Sequence, residues 1–574
     1  MPDDGKNRLY FGDNLKILRS EIDDESVDLI YLDPPFNSNA SYNVLFKEKT
    51  GEESAAQITA FEDTWHWTHD SAGLYHDLVT AGTKRLADLV QAMVSFLGHN
   101  DMMAYLVMMA ARLVEMRRVL KPEGSIVLHC DPTASHYLKL VLDAIFGAQA
   151  YLNEIVWKRS SAHSDTKQGM RRCGKVHDVL FVYTKSDRYT WNPLFTPYTK
   201  DYLESEYRHA TPAGRHYKET DVTAAKPGGD VEYEWQVKRA LKKGARWEAD
   251  LHSEFAKPKR GWEYKIVRPY EGRYWAYSKA NLLQFATDGH LIHRSTGAPR
   301  LVQFADEMPG IPLQDVWDDI PPASGKEDLG YPTQKPEALL DRILRTCSKE
   351  NDVVLDPFCG CGTATAVAER LKRRWIGIDI TYLAINLVQR RLKDTFGPEL
   401  RPYIVHGAPT DVPGARALKD LDPYQFEWWA VDLVDARPAR DRRRGADSGV
   451  DGFINFFDDK SAQAKKLIVQ VKAGHTGVHH VRDLKGTMER ERAVIGALLT
   501  LEEPTAPMLR EAAAAGIYSP KELPGRYPRI QIVTIAQLLD GLKLDYPQHR
   551  IETFKRAERK TKAHQKSLLE EEPF

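Results

Sequence analysis

Residues 352–363 read DVVLDPFCGCGT, and this stretch decides the fold. A short apolar run, DVVL, has the length of a buried strand and breaks at Asp356-Pro357. Two glycines follow, and the spacing from Thr363 to Leu371 is helical. Strand, glycine turn and helix form a loop that lets the backbone approach a ligand closely, with free N–H groups at the helix start. No GK[ST] follows, so this is not a phosphate loop. The next strand, WIGI at 375–378, ends at Asp379, where an acid suits the two hydroxyls of a ribose. Asp356, Phe358, Gly360, Gly362, Thr363 and Asp379 are therefore the first candidates for holding a cofactor.

The same rhythm extends outward. VDLIYL at 27–32 is a strand running into Asp33-Pro34-Pro35-Phe36. Residues 101–119 repeat apolar side chains at helical spacing, and Pro122 with Gly124 is expected to close that helix. Residues 126–129 read as a strand, 135–146 as a helix stopped by Gly147, and 155–157 and 179–183 as two more strands. A helix at 339–347 leads into the quoted stretch. This alternation predicts a mostly parallel sheet with helices on its faces. The rhythm breaks over 186–325, where Trp, Tyr, Arg and Lys mix with Gly and Pro in pieces such as GRHY, KKGARW, KRGWEY and EGRYW. A separate β-rich module is expected there. Residues 401–420 read as a linker, 421–548 as a further α/β unit, and 549–574 as a charged tail.

The 574 residues are enough for three to four folding units of about 150 each. Lys+Arg is 80 and Asp+Glu is 81, for a net charge of -1, so a strongly basic nucleic-acid binder is excluded while local basic patches are not. Five cysteines without paired CxxC motifs point to a reducing compartment and no structural zinc. The expectation is a cytoplasmic protein with no membrane partner: no apolar run reaches the ~18 residues of a span, and no secretion signal opens the chain.

Asp33-Pro34-Pro35-Phe36 resembles the catalytic motif of enzymes that methylate amino groups in DNA, and the resemblance implies a chemistry for it. An amino group on an aromatic base is a poor nucleophile because its lone pair is delocalised. Asp33 can accept one N–H and the Pro34 carbonyl the other, drawing the nitrogen toward tetrahedral geometry. Pro35 helps stiffen the loop, and Phe36 offers a face for stacking. Such a base must first leave the duplex, at a few kcal/mol. The structural alternative is a turn whose aspartate only caps a helix. Likewise Cys359 and Cys361 read as small residues in a tight loop, and His129-Cys130-Asp131 as a strand end that lines the pocket or simply packs.

Taken together, DPPF and DPFCGCGT resemble the S-adenosylmethionine-dependent amino-methyltransferases of DNA, in the permuted β-class order. The resemblance covers residues 8–185 and 326–400. It implies a doubly wound, Rossmann-like α/β methyltransferase sheet, double-stranded DNA as partner, and a target recognition module at 186–325. Gly12-Asp13-Asn14 is similar to the family's adenine-side motif, which implicates Asp13. YPTQKPEAL at 331–339 is similar to the motif closing the methionine end, which implicates Thr333 and Lys335. Asp rather than Ser before Pro-Pro favours adenine N6. The alternative is cytosine N4 with a C-terminal domain that binds DNA without cutting. A homodimer is compatible with the resemblance.

The last unit carries a second chemistry. GADSGVDG at 445–452 is followed by the strand LIVQV and Lys472. Asp451 and the Gln470 amide oxygen can hold a hard cation such as Mg²⁺, and Lys472 can orient water or offset charge on a phosphate. This pattern resembles the Mrr-type branch of the PD-(D/E)XK restriction nucleases over residues 421–545. The resemblance adds Glu427 as a helix acid beside the metal and implies a smaller α/β restriction-endonuclease-like domain. The arginines of 437–444 suit phosphates or a solvated face. The combined expectation is a restriction–modification or phage-defence enzyme. With no GxxxxGK[ST] in the chain, ATP-driven movement would need a helicase or another defence-system partner.

Overall fold

A computed structural model describes residues 5–35, 41–47, 53–62, 67–160, 171, 173–211, 213–226, 233–251, 259–325, 327–331, 333–439, 449–458, 464–520, 524–548 and 550–551. It divides into two compact units, one formed by Met1–Asn192 with Gln314–Gln565 and the other built on Pro193–Leu313.

In the first unit the strands of the main sheet, in chain order, are β1 Asn7–Phe11, β2 Val27–Leu32, β3 Leu120–Cys130, β4 Tyr151–Lys158, β5 His177–Thr184, β6 Val316–Trp317, β7 Val353–Asp356, β8 Arg374–Asp379 and β9 Tyr403–His406. They form one nine-stranded sheet in the order β6-β4-β5-β3-β2-β7-β8-β1-β9. Only β5 runs against its neighbours within this sheet. The central strands are apolar on both faces, as a sheet covered by helices on both sides requires: Leu29, Ile30, Leu32, Val354 and Leu355 are all buried.

The covering helices used below are α1 Asn14–Ser20, α2 Asp101–Val119, α3 Ser135–Phe146, α4 Glu337–Cys347, α5 Thr363–Arg370 and α6 Tyr382–Phe396. Helix α2 buries residues all round, including Met103, Leu106, Met109 and Leu113. It ends at Val119, and β3 begins at Leu120, so Pro122 and Gly124 lie inside a strand assignment rather than closing the helix.

Two expected boundaries are corrected. Residues 401–420 are not a linker: β9 pairs in parallel with β1, and His406 stacks on Tyr10 at 4.6 Å. Helix α7 follows at Val412–Leu421, capped by Asp411 through the Gly414 N–H. Pro and Gly bracket these elements, and their loop signals mask a four-residue strand. The end of the expected module also belongs to the first unit. There β6 pairs with β4, and Trp317 is buried.

The C-terminal part of this unit contains α8 Pro423–Asp432, β10 Arg437–Pro438, β11 Gly452–Phe457, β12 Lys465–Lys472, α9 Val478–Arg490, β13 Ile495–Thr500, α10 Ala506–Ala514 and β14 Ile530–Thr534. Its sheet runs β10-β11-β12-β13-β14. Helix α8 packs against α6 of the nine-stranded part. Trp428 sits with Cys361, Leu383 and Leu387, and Gln425 Oε1 accepts the Tyr382 N–H at 2.8 Å. Asp432 accepts from Asn386 and from Arg390, the latter at 3.0 Å.

The second unit is made of short antiparallel strands, the longest being His216–Asp221, Trp235–Ala240, Trp262–Val267 and Pro299–Phe304. Its core holds Trp235, Trp247 and Trp275. Each indole N–H is satisfied, by His293 Nε2 at 2.9 Å, the Ser295 carbonyl at 3.0 Å and the Tyr233 carbonyl at 3.0 Å. The indoles of KKGARW and EGRYW are thus core. Lys242, Lys243, Arg246, Arg260 and Tyr270 are exposed.

Candidate active sites

Strands β2 and β7 lie side by side in parallel, Leu29 beside Val354 and Ile30 beside Leu355. The turn after β2 and the glycine loop after β7 therefore open at the same carboxyl edge of the sheet, where open α/β folds bind ligands. β8 lies beyond β7 and β1 beyond β8, with Phe11 opposite Asp379 and the Gly12 N–H on the Asp379 carbonyl at 2.9 Å. These four strand ends surround a cavity of about 260 Å³. Asp33, Pro34 and Pro35 line it, as do Asp356, Phe358, Gly360 and Thr363. Asp13, Thr333, Lys335 and Asp379 complete the wall. Phe36 lies outside the described residues. Gly362 is not among the residues lining the cavity. Its φ is +75°, and a Cβ there would stand 2.8 Å from Val388 Cγ2, so it serves the turn.

Asp13 caps α1 by accepting the Lys16 N–H at 3.0 Å, and its other oxygen takes Arg112 at 2.7 Å. Asn14 donates to the Pro357 carbonyl at 2.7 Å, so the first strand's loop is pinned to the glycine loop. Arg112 went unnoticed in the sequence. Its signal is a lone cation inside the apolar run of α2, and it too lines the cavity. Asp356 is buried and accepts the Phe358 N–H at 3.1 Å. Burial pushes its carboxyl well up, and the charges of Asp33 and Asp379 add to the rise. Asp379 is raised by burial too, against the hydrogen bonds of Thr381 and Gly360. Lys335 donates to Asp33 Oδ2. Thr363 Oγ1 accepts from Arg391 at 3.0 Å, and Arg391 pairs with Glu337 at 3.0 Å.

Cys359 and Cys361 are buried, and burial pushes both thiols up. No group of three His, Cys, Asp or Glu placed to hold a metal occurs among the described residues. His129 is fully buried between the Tyr31 hydroxyl at 3.0 Å and Asp178 Oδ2 at 3.2 Å. Tyr31 itself lines the cavity, so His129 stands one residue behind the wall.

The second site lies where β11 meets β12. The Asp451 N–H donates to the Val469 carbonyl at 2.9 Å, and Asp451 Oδ2 accepts the Val471 N–H at 2.6 Å. Gln470 donates its amide to the Gly449 carbonyl, and its Oε1 is buried without a hydrogen-bond partner. Such an orphaned oxygen beside a carboxylate fits a hard cation. Lys472 is two residues on along β12, on the same face as Gln470. Glu427 is half-buried on α8. Residues 440–448, with most of the arginine run, lie outside the described residues.

Fold and cavity define a Rossmann-like α/β enzyme joined to a smaller α/β domain. The chain belongs to the DNA methylase family, which it matches over residues 27–390. Over residues 418–538 it matches the Mrr-type restriction endonuclease family. It is 27% identical over 389 residues to the type II methyltransferase M.EcaI of Enterobacter cloacae, covering 67% of this chain and 69% of that one. It is 28% identical over 378 residues to the type III restriction–modification enzyme StyLTI Mod subunit of Salmonella typhimurium, covering 62% of this chain and 49% of that one. Among solved structures, the cytosine-N4-specific PvuII DNA methyltransferase aligns at 13% identity and a TM-score of 0.30, covering 67% of this chain and 85% of that one. Among the described residues no helix is long and apolar enough to cross a membrane.

Proposed function

We propose that this protein transfers a methyl group from S-adenosylmethionine to adenine N6 in DNA, and that its C-terminal domain cuts DNA with Mg²⁺. The observation that carries the first part is the shared carboxyl edge of β2 and β7, which brings Asp33 and the glycine loop to one cavity. The residues fit the cofactor. At Gly360 a Cβ would press on Tyr331 at 3.2 Å, so backbone alone fits there, and Asp379 stands beside it at the end of β8. Bound there, the cofactor supplies an electrophilic methyl. Asp33 and the Pro34 carbonyl hold the two hydrogens of the target amino group and orient its lone pair. Pro34 and Pro35 keep those acceptors in place.

For the second part, Asp451 and Gln470 would hold the cation, with Glu427 on the neighbouring helix, and Lys472 would face the phosphate. Double-stranded DNA is the substrate of both halves. The inserted unit, with its exposed lysines and arginines, reads the site. Incubation with unmethylated DNA and cofactor, followed by nucleoside analysis, tests the first part. N6-methyladenine is expected, and its loss in Asp33→Ala. N4-methylcytosine instead would favour the alternative base. Mg²⁺-dependent cutting that disappears in Asp451→Ala tests the second part.

A further inference from the structure

The resemblance places Lys335 at the cofactor; it lines the cavity, and its ammonium there meets the Asp33 carboxylate. Lys335 Nζ donates to Asp33 Oδ2 and lies 3.4 Å from the Thr333 carbonyl. The two partners stand 302 residues apart in the chain, and their side chains are only 11% and 16% exposed. The pair thus ties the turn after β2 to the segment leading into α4. Buried acids surround it: Lys335 offsets part of the rise of the Asp356 carboxyl and contributes to holding Asp178 below the ordinary aspartate range.

Asp33 stands one residue past β2, on a turn with no ladder to hold it. A carboxylate there has two side-chain torsions to fix before it can receive an amino hydrogen in a useful direction. An ion pair with one of its oxygens fixes both torsions and leaves Oδ1 to face the target. A charge-assisted bond in a partly buried place is strong enough to do so. Building on the methyl-transfer reading above, we infer that Lys335 is a positioning residue for Asp33 rather than a ligand of the cofactor. Its ammonium clamps the carboxylate that receives the base's amino group, so that two parts of the chain distant in sequence must come together before the acceptor is set.

The test uses the full-length protein and separates binding from turnover. Cofactor affinity is measured by calorimetry with S-adenosylmethionine and with S-adenosylhomocysteine, and kcat is measured as methyl transfer to DNA at saturating cofactor. In Lys335→Met, kcat is expected to fall about a hundredfold, the scale of a misplaced reacting group, while cofactor affinity stays within about twofold. Lys335→Arg is expected to recover much of the rate, because a guanidinium reaches the same carboxylate. Lys335→Gln keeps most of the length and a donor, and decides the case if the Met variant melts early. Weakened cofactor binding in Lys335→Met or Lys335→Gln, with or without a change in kcat, overturns the inference, as does an unchanged kcat. Wild-type protein that methylates no DNA overturns the methyl-transfer reading itself and takes this inference with it. A wild type that methylates beside variants with weakened binding or full rate overturns only the role of Lys335.

Discussion

The Asp379 carboxylate ties the glycine loop to the end of β8: Oδ2 accepts the Gly360 N–H at 3.0 Å. Its Oδ1 accepts the N–H and the hydroxyl of Thr381 at 2.8 and 2.9 Å. The acid expected to face a ribose is therefore also the brace of the loop beneath it. Asp379→Asn places an amide nitrogen where one of these donors points. Cofactor affinity measured by calorimetry is expected to fall at least tenfold, about 1.4 kcal/mol, in both Asp379→Asn and Asp379→Ala. Unchanged affinity in Asp379→Ala would count against both roles.

The orphaned Gln470 Oε1 predicts metal linkage in the second domain. Mg²⁺ or Mn²⁺ is expected to raise the melting temperature of the wild-type protein by mass action. That rise should vanish in Asp451→Ala and in Gln470→Leu. A melting curve indifferent to both cations would remove the metal assignment.

Asp432 and Arg390 join the methylase helix α6 to α8, at 3.0 Å and with side chains 17% and 22% exposed. Removing Asp432 takes away the shorter of two ion pairs of the half-buried Arg390, which keeps Asp435 at 3.3 Å and its bond to Asn386. Asp432→Ala is expected to cost about 1 kcal/mol, less than a fully buried pair because some solvent reaches it and Arg390 keeps other partners. Denaturant unfolding measures this, and the double variant with Arg390→Met should recover part of the loss.

Burial pushes His293 from the ordinary 6.5 down to about 4. Above about pH 6.5 the ring is neutral in both folded and unfolded chains, and stability is indifferent to it. As pH falls below that, the unfolded chain takes up a proton that the folded one refuses until about pH 4. Stability therefore declines across this window, by about 3 kcal/mol in all. Because Trp235 donates to this ring at 2.9 Å, tryptophan fluorescence during unfolding at pH 7 and pH 5 reports it. His293→Gln should flatten the dependence.

Most of the methylase sheet was legible because its strands are apolar on both faces and end in Pro and Gly turns. The cavity was legible as two motifs, since both lie directly after such strands. What brought them together was strand order, which local periodicity does not encode: β2 and β7 are neighbours across more than three hundred residues. β9 was missed because four residues between loop signals carry little pattern. The core indoles of the inserted unit were not legible, because composition does not distinguish a core tryptophan from an exposed one. Arg112 and the Lys335–Asp33 pair depend on long-range packing and left only a lone cation in an apolar helix and a family motif as traces.

The seam between α6 and α8 bears on heredity. β9 completes the methylase sheet immediately before α7, and Trp428 closes over the outside of the glycine loop. A recombination event at this junction would strip an edge strand or a covering helix from its neighbour. Either part inherited alone would therefore expose the face of α6 that Trp428 and Gln425 cover here, and would have to cover it in another way.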